Sequence, residues 1–138
     1  MRTIKFRAWQ KNYGGYMFYS HESKGLGYLE FNNDSSTVIG ESDGDQRYEA
    51  SEMPLMQFTG LFDKNGKEIY EGDVVKYERY DKIIFATIKW REGEGCYHLL
   101  NHKDSVDSDA LFSESAFYID MRRLEIIGNI YQNPELIN

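Results

Sequence analysis

Cys96, His98 and His102, in the order C-x-H-x-x-x-H, are where this chain gathers metal-type ligands. On a strand, Cys96 and His98 would share a face with Cα atoms roughly 7 Å apart, near enough for two ligands to converge. His102 lies farther along, and His21 is the remaining histidine. Metal sites usually draw on three or four protein ligands, so no metal or cofactor is expected and these read as ordinary strand residues. Asp104, Asp107 and Asp109 in "DSVDSDA" lack the glycine and the closing glutamate of a calcium loop. They read as a solvated acidic loop. For nucleophilic catalysis, the Cys96–His98 pair has no third residue in sequence to orient it. Glu71 and Asp73 are of the right type for acid–base work, but carboxylates in a turn are ordinarily solvated. No catalytic residue is expected, and the chain reads as a non-enzyme.

The N-terminal segment combines cations with stackable rings: Arg2, Lys5, Arg7 and Lys11 with Trp9 and Tyr13. Rings that stack on bases and cations that follow phosphates suit single-stranded nucleic acid. The competing reading is an edge strand whose Lys and Arg deter aggregation and whose Trp joins the core. The net charge of -7 repels phosphate. Nucleic-acid contact through Arg2, Lys5, Arg7, Trp9 and Lys11 is therefore the second reading.

The elements that must position these residues are strands. With 138 residues, 41% hydrophobic and 15% aromatic, the chain can fill a core of one domain or two small lobes. In "TIKFRA", Ile4, Phe6 and Ala8 alternate with Lys5 and Arg7, which predicts a half-buried strand with the cations facing solvent. "YMFYS", "GYLEF" and "VIG" are further short strands. The acidic stretch from Glu41 to Glu52 predicts a mobile loop or a lobe boundary. After Pro54, "LMQFTGL", "KEIY", "VVKYERY", "DKIIFATIKW" and "CYHLLN" follow one another through tight turns. Asn65-Gly66 predicts a type I′ hairpin turn, and Gly72-Asp73 a second turn. In the fourth of these strands Ile84, Ala86, Ile88 and Trp90 share a face. "LEIIGNIY" is the final strand, and "NPELI" predicts a helical turn with Asn133 as N-cap and Pro134 at its first position. The fold class is mainly β: an SH3-like small barrel over 54–138, an N-terminal β extension or smaller lobe over 1–53, and a short C-terminal helical turn.

"QFTGLFDKNGKEIYEGDVVK", "IKFRAWQ" and "IIGNIYQNPELI" together resemble the YopX family of small bacteriophage and prophage proteins, in the family's order and across the whole chain. The resemblance implies a largely β fold and a phage or prophage origin, and it carries over no catalytic residues. A glycine-rich phosphate cradle opens a helix, whereas Gly60, Gly66 and Gly72 each precede strand-like sequence. Asn65, Gly66, Gly72 and Asp73 are therefore read as structural turns. One cysteine and no long apolar run predict a soluble intracellular protein without a disulfide framework or membrane contact, and the resemblance implies that the cytoplasm is that of a bacterial host. The expected function is a binding module for a host or phage protein. Exposed barrel edges and aromatics add an expectation of self-association.

Overall fold

Alternation of apolar and polar residues sets most of the strands. The computed structural model of the chain describes residues 3–11, 15–20, 26–31, 37–41, 47–49, 53–79, 81–102 and 123–137. They are mainly β, with a curled half-barrel sheet and a 3₁₀ turn near the C-terminus. The sequence expectation for 103–116 and the N-N-D-S-S turn lie outside the described residues. The chain divides into two compact units, Met1–Gln57 and Phe58–Asn138.

In the first unit, β1 (Phe6–Gln10) lies between β2 (Tyr16–Tyr19) and the start of β6 (Leu55–Phe62). Arg7 pairs with Tyr19 on one side and Met56 on the other, both antiparallel. The strand is thus interior, not an edge. Ala8 and Met53 are fully buried here, with Phe6, Phe18 and Leu55 packed around them. The expected alternation fails at Arg7, which is only 6% exposed, and at Ile4, which is 67% exposed. Ile4 precedes the paired segment, while Arg7 sits where both strand edges are occupied. The unit also contains an antiparallel trio, β3 (Leu26–Phe31), β4 (Thr37–Glu41) and β5 (Arg47–Glu49). Strand β5 falls within the acidic stretch expected as a mobile loop or a lobe boundary. Pairing with β4 across Ile39↔Tyr48 supplies the ladder that composition alone did not suggest.

In the second unit, β8 (Asp73–Arg79), β9 (Lys82–Arg91), β10 (Cys96–Asn101) and β11 (Glu125–Asn129) form a sheet in the order β10-β9-β8-β11. One face is the core: Val75, Tyr77, Ile84, Ala86, Ile88 and Leu99 pack with Ile69 and Leu124. Trp90, expected on this face, is partly exposed at the strand end and packs edge-on against Tyr97 at 5.0 Å. Ring packing of Phe58 on Tyr70 at 5.5 Å joins β6 to β7 (Glu68–Tyr70).

The turn between β6 and β7 is not type I′, because Gly66 takes a positive φ of 78° while Asn65 does not. Gly66 N–H donates to the Asp63 carbonyl at 3.0 Å, and Asp63 N–H to the Lys67 carbonyl at 2.8 Å. This is a type I turn followed by a left-handed glycine in a bulge. The Asp63 side chain selects it: Oδ1 accepts from the N–H groups of Asn65 and Lys67, which a type I′ turn would not gather. Oδ2 reaches across to the N–H of Ile126 in β11 at 3.1 Å.

In the C-terminal turn, Pro134–Ile137, Asn133 stands at the expected N-cap position with Pro134 first, but its side-chain oxygen bonds away from the turn. Asn133 Oδ1 accepts from the Asn129 N–H at 3.2 Å, and its backbone carbonyl takes the Leu136 N–H at 3.0 Å. Asn129 Oδ1 in turn accepts from Tyr131 and Gln132. The Asn133 side chain therefore ties the turn back to β11.

Candidate functional site

Strand pairing sorts the second unit's side chains into two faces. Opposite the core face, Phe85 lies across from Lys76, Ile83 from Glu78, and Leu100 from Thr87. Directly opposed and diagonal residues on one face are side-chain neighbours. Ile83 is 57% exposed, Phe85 39% and Leu100 36%, so three large apolar groups form a strip in solvent. The strip is bordered by charge. Glu125 accepts from both Lys64 and, at 3.3 Å, Lys76. The hydrogen bond from Lys64, with that of Lys76 and the charge of both, holds the Glu125 carboxyl below its ordinary range despite some desolvation. An open groove of about 820 Å³ runs here, lined by Lys64, Lys76, Glu78, Ile83, Arg123 and Glu125 among others.

Lys64 is placed by the Asp63 turn. Its N–H donates to the Leu124 carbonyl at 2.8 Å, beside the Asp63–Ile126 bond. Burial would raise the Asp63 carboxyl, but three backbone N–H donors (Ile126, Lys67 and Asn65) and the charge of Lys67 outweigh it. The pKa is lowered from its ordinary 3.8. The central motif is therefore a clamp of turns. Gly72 (φ 81°) immediately precedes β8, its N–H bonded to the Ile88 carbonyl, and buried Asp73 accepts the Tyr70 N–H at 2.8 Å.

The N-terminal cations do not line up on one open face. Arg7 is buried, Lys5 and Trp9 are half-buried, and Lys11 is exposed. Arg2 lies outside the described residues. The Trp9 ring lies over Gly15, where an added methyl would sit 2.7 Å from Cη2. Lys11 and part of Lys5 are what this strand offers a phosphate.

Among the metal-type residues, Cys96 Sγ and His98 Nε2 are 3.1 Å apart, as two positions of one strand face allow. His102 leaves the group: its Nε2 bonds Thr87 Oγ1 at 2.9 Å, and burial, with help from Lys89, lowers its pKa from 6.5. Glu94, which lies in the turn and outside the C-x-H pattern, takes its place 3.1 Å from His98 Nε2. The E-x-C-x-H spacing was the available signal. Asp104, Asp107 and Asp109 lie outside the described residues. No helix among the described residues is long and apolar enough to cross a membrane.

Residues 5–138 match the family model described as YopX protein. The chain is 31% identical over 72 residues to the SPbeta prophage-derived uncharacterized protein YopX of Bacillus subtilis (strain 168), a match covering 52% of each. That alignment thus spans about half the relative's length. Two crystal structures are similar in fold. One is protein yopX from Bacillus subtilis, with TM-score 0.64, 19% identity, and 100% of this chain and 98% of that chain covered. The other is protein EF1440 from Enterococcus faecalis, with TM-score 0.58, 23% identity and 100% of both chains covered.

Proposed function

The chain belongs to the YopX protein family, and from that premise we propose that it is a prophage-type accessory protein acting by non-enzymatic contact with another protein. Its place of action is the cytoplasm of the bacterial host. The prophage origin rests on the Bacillus subtilis relative. The observation that carries the binding role is the strip of Ile83, Phe85 and Leu100, exposed together on a paired sheet. A contiguous apolar patch with a polar rim is the usual surface of a protein-interaction site. Lys64, Lys76 and Glu125 supply such a rim. The nucleic-acid reading loses support because Arg7 is buried in a strand paired on both sides.

The test is affinity capture of the tagged chain from host cells during prophage induction, with and without nuclease, using wild type and the Ile83→Asp/Phe85→Asp double variant. One host or phage protein should be retained by wild type in both halves and lost by a folded double variant. Retention that disappears with nuclease would make nucleic acid the partner and end this reading. Equal capture by the double variant would remove the strip from it.

A further inference from the structure

The hairpin joining β9 to β10 brings three different donor atoms together. A carboxylate oxygen of Glu94, Cys96 Sγ and a ring nitrogen of His98 all lie within 4.8 Å of one another, with His98 Nε2 3.1 Å from both Cys96 Sγ and Glu94 Oε2. The turn is fixed by Glu94 and Gly95 N–H groups, both donating to the Arg91 carbonyl at 3.2 and 2.9 Å, and by Gly95 at φ 62°. Arg91 Nη1 holds the other carboxylate oxygen, Oε1, at 3.1 Å, which leaves Oε2 turned to the imidazole. Cys96 and His98, two residues apart on β10, present their side chains to the same place.

The imidazole is the informative member. His98 is 6% exposed, and its Nδ1 is buried without a hydrogen-bond partner. Its polar chemistry is therefore concentrated at Nε2, which faces both the sulfur and the carboxylate at 3.1 Å. A neutral imidazole nitrogen carries either one proton or one lone pair. With a proton it serves the carboxylate but opposes the S–H. With a lone pair it accepts from the thiol but faces the carboxylate's negative oxygen. A Lewis acid at the centre satisfies all three lone pairs at once.

We propose that Glu94, Cys96 and His98 bind one divalent transition-metal ion of the zinc type through Oε2, Sγ and Nε2. Nitrogen, sulfur and oxygen donors together suit zinc, whose bonds of about 2.0–2.3 Å place tetrahedral ligands about 3.4 Å apart. The Sγ–Nε2 and Nε2–Oε2 gaps of 3.1 Å are close to that separation, and all three donors lie within 4.8 Å of one another. Thiolate and carboxylate together neutralise a dication, so this partly buried site would hold no net charge. Three protein ligands leave a fourth position for water, on the side where Glu94 is half exposed. The Arg91–Glu94 contact orients a ligand as outer-shell partners of metal sites do.

The test uses the full chain, dialysed against Zn²⁺ and then against metal-free buffer, with parallel Co²⁺ titration. Wild type should retain one Zn²⁺ per chain and show a thiolate-to-cobalt charge-transfer band, and Zn²⁺ should slow alkylation of Cys96, its one cysteine. Cys96→Ser should abolish the band, and Glu94→Gln should weaken Zn²⁺ affinity at least about tenfold, the smallest loss usual even for outer-shell partners. His98 is buried, so His98→Asn can fail by unfolding; half-buried Cys96→Ser and exposed Glu94→Gln are decisive once circular dichroism shows them folded. Sub-stoichiometric Zn²⁺, Co²⁺ uptake without the thiolate band, or unchanged affinity in both variants would overturn the proposal.

Discussion

Asp63 shows how much one carboxylate can organise. It accepts backbone N–H groups from its own turn and from β11. Asp63→Ala should lower stability by about 2–4 kcal/mol, since it strands donors in a buried site; urea denaturation measures this. Because its pKa is lower in the folded state than the ordinary 3.8, its contribution is complete above that value. It is lost as pH falls through the folded value. Asp63→Asn should remove that acid-limb dependence. His102 follows the same sign for a different reason: burial favours its neutral form, so folding strength should decline as pH drops below 6.5 towards the folded value. Denaturation midpoints on either side of pH 6.5, compared with His102→Gln, would expose the idea as wrong if their difference were unchanged. Neither role was legible from residue type alone. Asp63 looked like turn chemistry, and His102 like an ordinary strand residue, because spacing shows neighbours along the chain and not the Thr87 hydroxyl opposite.

At the scale of elements, period-two patterning located β1, β2, β6, β8, β9 and β11 because each has a face to bury. It failed where pairing overrides composition, as in acidic β5 and at buried Arg7 in β1. Asn-Gly was an ambiguous turn signal: it fits type I′, but the Asp63 side chain stabilises a different geometry that needs left-handed backbone at Gly66 alone. Gly66→Ala should therefore cost about 1–2 kcal/mol, although the space around it is open. Gly128 is the opposite case. A methyl there would press against the Asn133 carboxamide and reach 2.8 Å from Leu136 Cδ1. Gly128→Ala should cost about 1–3 kcal/mol by overpacking, with the melting temperature falling and the resonances of the C-terminal turn shifting most. The candidate metal site was half legible. Cys96 and His98 share a strand face by spacing, but Glu94 enters only because the hairpin turn folds it back.

For the whole molecule, β-rich topology with long-range pairing predicts folding in milliseconds to seconds, slower than a helical protein of this size. Stopped-flow refolding followed by tryptophan fluorescence measures it, and a microsecond phase carrying the full amplitude would contradict the expectation. The mainly β class was readable from sequence because alternation recurs through the chain. The exposed strip was half legible: alternation that puts Ile84, Ala86 and Ile88 on one face leaves Ile83 and Phe85 on the other, but Leu100 joins them only through the register with β9. The bond from Asp63 to Ile126 spans 63 residues. During synthesis at about 5–20 residues per second, the turn emerges roughly 3–13 seconds before its β11 partner. Over that interval the nascent hairpin holds a carboxylate oxygen in waiting. Translation speed through the intervening codons thus sets how long the growing chain remains open to wrong pairing before its clamp can close.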